Sequence, residues 1–417
     1  MTAGAASTDV PGLVDRLFRR EAGRLTATMA RRLGPGRLGL AEDIAQETLA
    51  RALRVWPFRG VPDDPVAWLH TVARRLALDA LRHDAAHARH APALDMLAET
   101  PLPPDAAFAD ELVDDELRLL FMCSHPDLSP EMRTALVLKT GCGLSVEEIA
   151  AGLLRERAAV AQWLVRAKKR IRERNLALDM PSPGELPARL VTVLDAIYLA
   201  FNEGWSASAG EQVVRPDVCL EMRALAERLA RHRITGTPPT QALYALLTFH
   251  CARLATRTDT DGNLLLLADQ DRALWDRALI AQGLAALARA AGGAHLSEYH
   301  LLAGIAGEHA IAPTFDATNW QSIRTYYDLL IETNASPVHR LNRAVAVAMA
   351  CGPSAGLREL AALENDAALR GFHLLHATRG ELLRRAGRDA EAQAAFQRAY
   401  DLARSEPARR FLQQRLA

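Results

Sequence analysis

GLSVEEIAAGLLRERAAVAQWLVRAKKRIRERN, residues 143–175, reads as two helices and the turn between them. Ser145 followed by Glu148 is a capping box, each side chain satisfying the other's backbone N–H, so a helix begins at Val146. Ile149, Ala150 and Leu153 form its inner side, and a short turn near Arg155–Arg157 breaks the pattern. A second helix runs from about Ala158. At about 100° per residue, Val160, Leu164, Ala167 and Ile171 gather in a narrow buried arc, while Ala158, Gln162, Val165, Arg166, Lys169 and Arg172 point the other way. Between Arg155 and Arg174 lie eight Lys/Arg and only two Glu. A short helix, a tight turn and a basic second helix form a helix-turn-helix, whose second helix enters the DNA major groove. A basic hairpin that is merely solvated is the alternative, since Ala-rich chains generate such patterns by chance.

Outward from this stretch the period near 3.6 persists, and β-branched runs stay short, so the chain is expected to be all-α. Its 417 residues suffice for two or three domains. The 50 basic and 50 acidic residues cancel, so any message about partners lies in their distribution. Residues 83–106 are polar and then proline-punctuated, and LDMPSPGELP (178–187) carries three prolines and a glycine. These divide the chain into a module at 10–85, a linker at 86–112, a helix-turn-helix module at 113–177 and a helical extension at 186–417. GRDAEAQAAFQRAYDLA (387–403) has the spacing of a tetratricopeptide repeat's second helix, with residues 374–385 as the first. A weaker copy opens at Gly352, so the repeat character is expected from about residue 336. Before that point an irregular Ala-rich bundle is the alternative.

Several chemistries drop out. Five scattered cysteines without a CxxC read as reduced thiols, and Cys123, His125 and Cys142 have poor spacing for zinc. DTDGN (259–263) is read as a turn, because its glycine comes too early for a calcium loop. HLSEYH (295–300) sets its histidines five apart, unlike HExxH. Tyr198, Phe201, Asn202, Glu203 and Trp205 could line a groove, although core packing is the commoner use of such residues. No phosphate loop, nucleophile elbow or catalytic triad appears, so no enzyme, cofactor or metal is expected. Without an apolar leader or a membrane-length run, the expected location is the cytoplasm.

AEDIAQETLARALRVW (41–56) is a further helix. Ala41, Ala45, Thr48, Leu49, Ala52 and Trp56 share its inner face; Asp43 and Glu47 lie opposite, with Gln46 between. Such a patch is either solvated or a dock for something positive. In FRGVPDDPVAWLHTVARRLALDALRH (58–83), a loop leads to Asp64–Pro65, a cap followed by proline at the first helical position. Leu69, Val72, Ala73, Leu76 and Ala80 are expected inside. His70, Thr71, Arg74, Arg75 and Arg82 are expected outside, as a second cationic surface. Two basic modules joined by a linker suit two DNA elements at a fixed separation.

Asp43-Ile-Ala-Gln46-Glu47, the Trp56-Pro57 pair and AWLHTVARRLALDALR together resemble region 2 of a bacterial RNA polymerase sigma factor. The helix-turn-helix with VRAKKRIRE resembles region 4. With neither region 1.1 nor region 3 between them, the arrangement resembles the extracytoplasmic-function group. CSHPDLSPEMRTALVLKT, FNEGWSASAGE and LLLLADQDRALWDRALI resemble its subgroup with a long, tetratricopeptide-like C-terminal extension. The resemblance implies core RNA polymerase as partner, through the β′ clamp helices and the β flap, together with promoter DNA. It implies that Asp43, Gln46 and Glu47 dock on the clamp helix. Phe58, Asp64, His70, Thr71, Arg74 and Arg75 would engage the −10 element, and Arg157, Gln162, Arg166, Lys168, Lys169, Arg170 and Arg172 the −35 element. Arg166 suits guanine and Gln162 adenine, whereas the lysines and later arginines suit phosphates. Where relatives carry an arginine this chain has Trp163, for which packing is the expected role. The extension is expected to regulate the DNA-binding modules by intramolecular contact. A conventional helix-turn-helix regulator and a repeat scaffold are the rival readings.

Overall fold

A computed structural model describes residues 10–88, 115–153, 155–206, 214–293, 295–364, 366, 369–403 and 406–416. Among these, the chain is helical and has no β-sheet; one isolated bridge joins Thr258 to Leu264. It forms two compact units, residues 1–200 and 201–417. The linker expected at 86–112 falls almost wholly outside the described residues.

The first unit opens with three helices packed on one another, α1 (Val10–Leu33), α2 (Leu38–Arg59) and α3 (Pro65–Ala88). All six residues of the expected α2 stripe are buried, from Ala41 to Trp56. Thr48 can join that stripe because its hydroxyl donates to the Ile44 carbonyl at 2.7 Å, which satisfies a group that is costly to bury alone. Trp56 meets Trp68 of α3 edge-to-face, with centroids 5.4 Å apart. Pro57 lies inside α2 rather than ending it, and Gly60, at φ +80°, terminates the helix. Phe58 therefore sits on the last helical turn, not in the expected loop. Asp64 caps α3, its carboxylate accepting from the Ala67 N–H at 2.9 Å.

The helix-turn-helix follows the sequence reading closely. Glu148 N donates to the Ser145 hydroxyl at 3.2 Å, and Ser145 N to the Glu148 carboxylate at 2.6 Å. That box starts the helix Val146–Gly152, and the second helix spans Arg157–Arg174. Val160, Leu164, Ala167 and Ile171 are its buried residues. Asn175 ends it in the left-handed region, at φ 48°.

The proline-rich stretch at 178–187 is not where the compact units divide. The helix Leu186–Trp205 belongs to the first unit as far as Ala200. Leu190, Val193, Leu194 and Ile197 are buried, and the Arg189 guanidinium donates to the Phe121 carbonyl.

The second unit is a succession of helices, each packed on the next. The helix Pro238–Ala252 is buried on nearly every side. Its polar members are satisfied: Thr248 donates to the Tyr244 carbonyl at 2.7 Å and Gln241 to the Ala230 carbonyl at 2.6 Å. Phe201 is buried against Trp205 and His250, and Glu203 is buried too, whereas Tyr198 and Trp205 are half-buried and Asn202 is exposed. DTDGN is a turn in which Asp259 accepts from the N–H groups of Asp261 and Asn263. His300 is a buried cap residue that contacts Ser297 N and the Ala290 carbonyl. Further along, two helix hairpins succeed each other, Pro337–Cys351 with Pro353–Ala361 and His373–Arg385 with Asp389–Leu402. Gly380 lets the second pair close up: a Cβ there would lie 2.8 Å from the Phe396 ring.

Candidate polymerase and nucleic-acid interface

α2 presents Asp43 and Gln46 to solvent, with Glu47 half-exposed beside them. Glu47 is not a bare acid. It accepts from Arg51 at 3.0 Å and Arg54 at 2.7 Å, and these two hydrogen bonds hold its carboxyl below the usual range. The patch is therefore led by Asp43, with a rim of its own cations. Arg51 was legible as an i,i+4 partner.

The second expected surface is narrower than the sequence suggested. Phe58 is 88 % exposed at the end of α2, and Arg75 is exposed on α3. Thr71 is half-buried and donates to the Ala67 carbonyl at 2.9 Å; Arg74 is also half-buried. Asp64 is exposed, but one of its carboxylate oxygens is engaged by the cap. His70 is a correction: it is 5 % exposed and does not belong to the outer face. Two helices, α1 and α2, pack on α3, so its buried arc is wider than one stripe. Burial, then Arg32 and Arg24, lower the His70 pKa to about 4 against the weaker pull of Asp64. The imidazole is neutral near pH 7.

On the Arg157–Arg174 helix, Gln162, Val165, Arg166, Lys169 and Arg172 are exposed as expected, and Trp163 is half-buried. Arg157 pairs with Glu147 at 2.7 Å and Lys169 with Glu173 at 3.6 Å, both in solvent. Arg170 is half-buried. Lys168 departs from its expected phosphate role, because its ammonium is bound to the Glu42 carboxylate of α2. Thr140 donates to the same carboxylate at 2.9 Å. The Arg172 stem passes Gly36, where a Cβ would meet it at 3.7 Å. Arg31 of α1 reaches the buried Asp115 at 3.1 Å, and Arg24 lies 3.8 Å from the buried Glu116. The first three helices are thus joined to the helix-turn-helix by the Lys168–Glu42 pair, and to the segment preceding it by the pairs at Asp115 and Glu116. Nothing local in the sequence marks Glu42 as a partner of Lys168, which lies 126 positions away.

Among the described residues no group of His, Cys, Asp or Glu is placed to hold a metal, and no helix is long and apolar enough to cross a membrane.

Comparison with known proteins matches three segments of the chain to families. Residues 17–87 match the family described as Sigma-70 region 2, and residues 118–171 match Sigma-70, region 4. Residues 189–291 match a family of unknown function (DUF6596). The chain is 38% identical over 381 residues to the uncharacterized protein R00370 of Rhizobium meliloti (strain 1021), covering 88% of this chain and 86% of that one. It is 36% identical over 135 residues to RNA polymerase sigma factor CarQ of Myxococcus xanthus, covering 32% of this chain and 73% of CarQ. It is 33% identical over 183 residues to ECF RNA polymerase sigma factor SigJ of Mycobacterium tuberculosis (strain ATCC 25618 / H37Rv), covering 42% of this chain and 53% of SigJ. No solved structure matches. With an acid-fronted three-helix module, a basic helix-turn-helix and a long helical extension, the chain belongs to the sigma-70 family of RNA polymerase sigma factors, as an extracytoplasmic-function-type member.

Proposed function

We propose that this sigma factor docks on the β′ clamp helices of core polymerase through Asp43, Gln46 and Glu47, with its region 4 also meeting the β flap. The Arg157–Arg174 helix then reads the −35 element with Gln162 and Arg166, while Lys169, Arg170 and Arg172 hold phosphates. Phe58, Thr71, Arg74 and Arg75 face the −10 strand. The observation that carries this reading is the placing of charge: Asp43 exposed at the front of α2, with Glu47 beside it held by Arg51 and Arg54, and an exposed basic face on the helix-turn-helix. An acidic patch repels DNA, so its partner is a protein surface of opposite sign. Run-off transcription with core polymerase tests it. The double variant Asp43→Lys with Glu47→Lys should lower the transcript at least about tenfold, by turning attraction into repulsion at the dock. Its binding to bare duplex should not fall. Equal transcript from the variant would remove the docking role.

The same reading takes the Lys168–Glu42 clasp as holding Lys168 away from DNA in the free protein. Elements named −10 and −35 lie about 80 Å apart at about 3.4 Å per base pair. The chain from 89 to 114 can reach at most about 90 Å, enough to span them once the clasp opens. Glu42→Gln should release Lys168 to phosphate. In the full chain the affinity for −35 duplex should rise about fivefold, and the salt dependence should steepen by about one counterion. Unchanged affinity and slope would mean that Lys168 does not serve DNA.

The extension regulates these steps in the same reading. The hairpins from Pro337 onward are read as tetratricopeptide-like pairs, supported by the 35-residue step between Gly352 and Gly387, both at positive φ, and by the Gly380–Phe396 approach. A truncation ending after Ser206 keeps the helix that packs on the first unit. A larger transcript from it means restraint by the extension and a smaller one means licence; no change removes the regulatory role.

A further inference from the structure

The second unit contains a cavity of about 410 Å³, within the size range of small-molecule sites. Its walls are mainly apolar, with Ile323, Ala346, Leu382 and Phe396 among them. Two polar atoms in this lining are unusual. Trp320 Nε1 and His309 Nδ1 are both buried, and neither has a hydrogen-bond partner among the described residues. Their rings meet edge-to-face at 5.2 Å, and Phe315 meets Trp320 in the same way at 5.2 Å. Burial, helped by Arg253 and Arg272, lowers the His309 pKa to about 3, so its imidazole is neutral. Buried donors and acceptors left unmatched are costly, and native proteins keep few of them without a use.

Charge at the same cavity is also unbalanced. Arg385, Arg415 and Glu381 line it. Glu381 is shared by Arg384 at 2.8 Å, Arg385 at 3.4 Å and Arg415 at 3.9 Å, and Arg415 also lies 3.6 Å from Asp269. Three guanidiniums therefore share two carboxylates, which leaves one positive charge over. Arg385 turns another nitrogen to the Met349 sulfur at 2.8 Å, a weak acceptor that a carboxylate would outcompete.

We propose that this cavity binds a small organic monoanion with an aromatic or branched apolar body, its carboxylate held by Arg385 and Arg415 and its body lying against the lining that holds Trp320 and His309. The inference is independent of the promoter reading, since every residue in it lies in the second unit.

The experiment is calorimetric titration of the full chain with three probes of one size: 2-naphthoate, uncharged 2-naphthamide and cationic 2-naphthylmethylammonium. The expected result is saturable one-site binding of 2-naphthoate, with the amide about tenfold weaker and the ammonium undetected. Arg385→Met, a change at a partly exposed side chain, should bring 2-naphthoate down to the level of the amide. Ala377→Trp, which fills the cavity from the His373–Arg385 helix, should abolish binding of both. Absence of saturable 2-naphthoate binding overturns the proposal. Equal affinity for the three probes, or 2-naphthoate binding unchanged in both variants, overturns it as well.

Discussion

Trp56→Ala should lower the stability of the first unit by about 4 kcal/mol, whereas Trp56→Phe should cost no more than about 1.5 kcal/mol. Trp56 is 1 % exposed and is the largest side chain of the α2 stripe. Its ring stands at 63° to Trp68, so truncation removes both the area burial and the edge-to-face contact between α2 and α3. Deleting a buried aromatic leaves a cavity that a three-helix module cannot fully collapse, and such changes cost about 3–5 kcal/mol. Phenylalanine behaves differently. The Trp56 indole Nε1 is buried and has no partner among the described residues, so Phe gives up some volume but also removes an unsatisfied donor. Urea unfolding followed by circular dichroism measures both: the midpoint should fall steeply for Ala, fall little for Phe, and the slope should hold in each. Equal losses would mean that the indole N–H is bonded and that the ring is not the main anchor. Function should track stability, because Asp43, Gln46 and Glu47 lie on the outer side of the same helix and Phe58 lies two residues beyond Trp56.

What the sequence disclosed was whatever depends on neighbours within one helix. The arc of Val160, Leu164, Ala167 and Ile171 follows from a 3.6-residue period alone, and all four are buried. The Ser145–Glu148 box and the Asp64 cap are contacts over three residues, legible for the same reason. His70 was misplaced because a helical wheel assigns one inner face, whereas α3 is covered by α1 as well as by α2; tertiary packing sets the width of a buried arc. The Lys168–Glu42 pair was invisible because it joins two modules across the linker. Trp205 is half-buried and lies under the guanidiniums of Arg257 at 4.4 Å and Arg253 at 4.8 Å, contacts to residues about fifty positions away that no helical period marks. The compact units divide at 200/201, inside the helix that follows the prolines, for a related reason. Prolines mark where a helix starts, but the buried Arg189 and Leu190 decide to which core the helix belongs.

Acidification from pH 6.5 to pH 4 should cost the first unit about 3 kcal/mol through His70 alone, and His70→Gln should remove that loss. The folded protein holds the imidazole neutral, with its pKa lowered from 6.5 to about 4. The unfolded chain, free of burial, takes up a proton near pH 6.5. Between these two values the unfolded state binds more protons than the folded one, so stability falls as pH falls. At about 1.4 kcal/mol per unit of pKa, a separation of about 2.5 units gives the magnitude. Below the folded value both states are protonated and the loss levels off; above pH 6.5 neither is, and the contribution is flat. The surroundings explain the sign. Burial acts first, and Arg32 and Arg24 of α1 repel a second cation, while Asp64 at the start of α3 opposes them weakly. His250 and His309 are lowered too, in the second unit, so the informative quantity is the difference between wild type and His70→Gln, measured by urea midpoints at pH 7, 5.5 and 4. Parallel curves for the two proteins would show that His70 takes its proton while folded, which would require an outward rotation of α3. With His70 buried as described, the curves converge as pH falls. The same burial fixes the register of α3, which leaves Arg75 exposed and Thr71 and Arg74 half-buried. In the proposed reading, His70 sets which residues of α3 face the −10 strand without touching DNA itself.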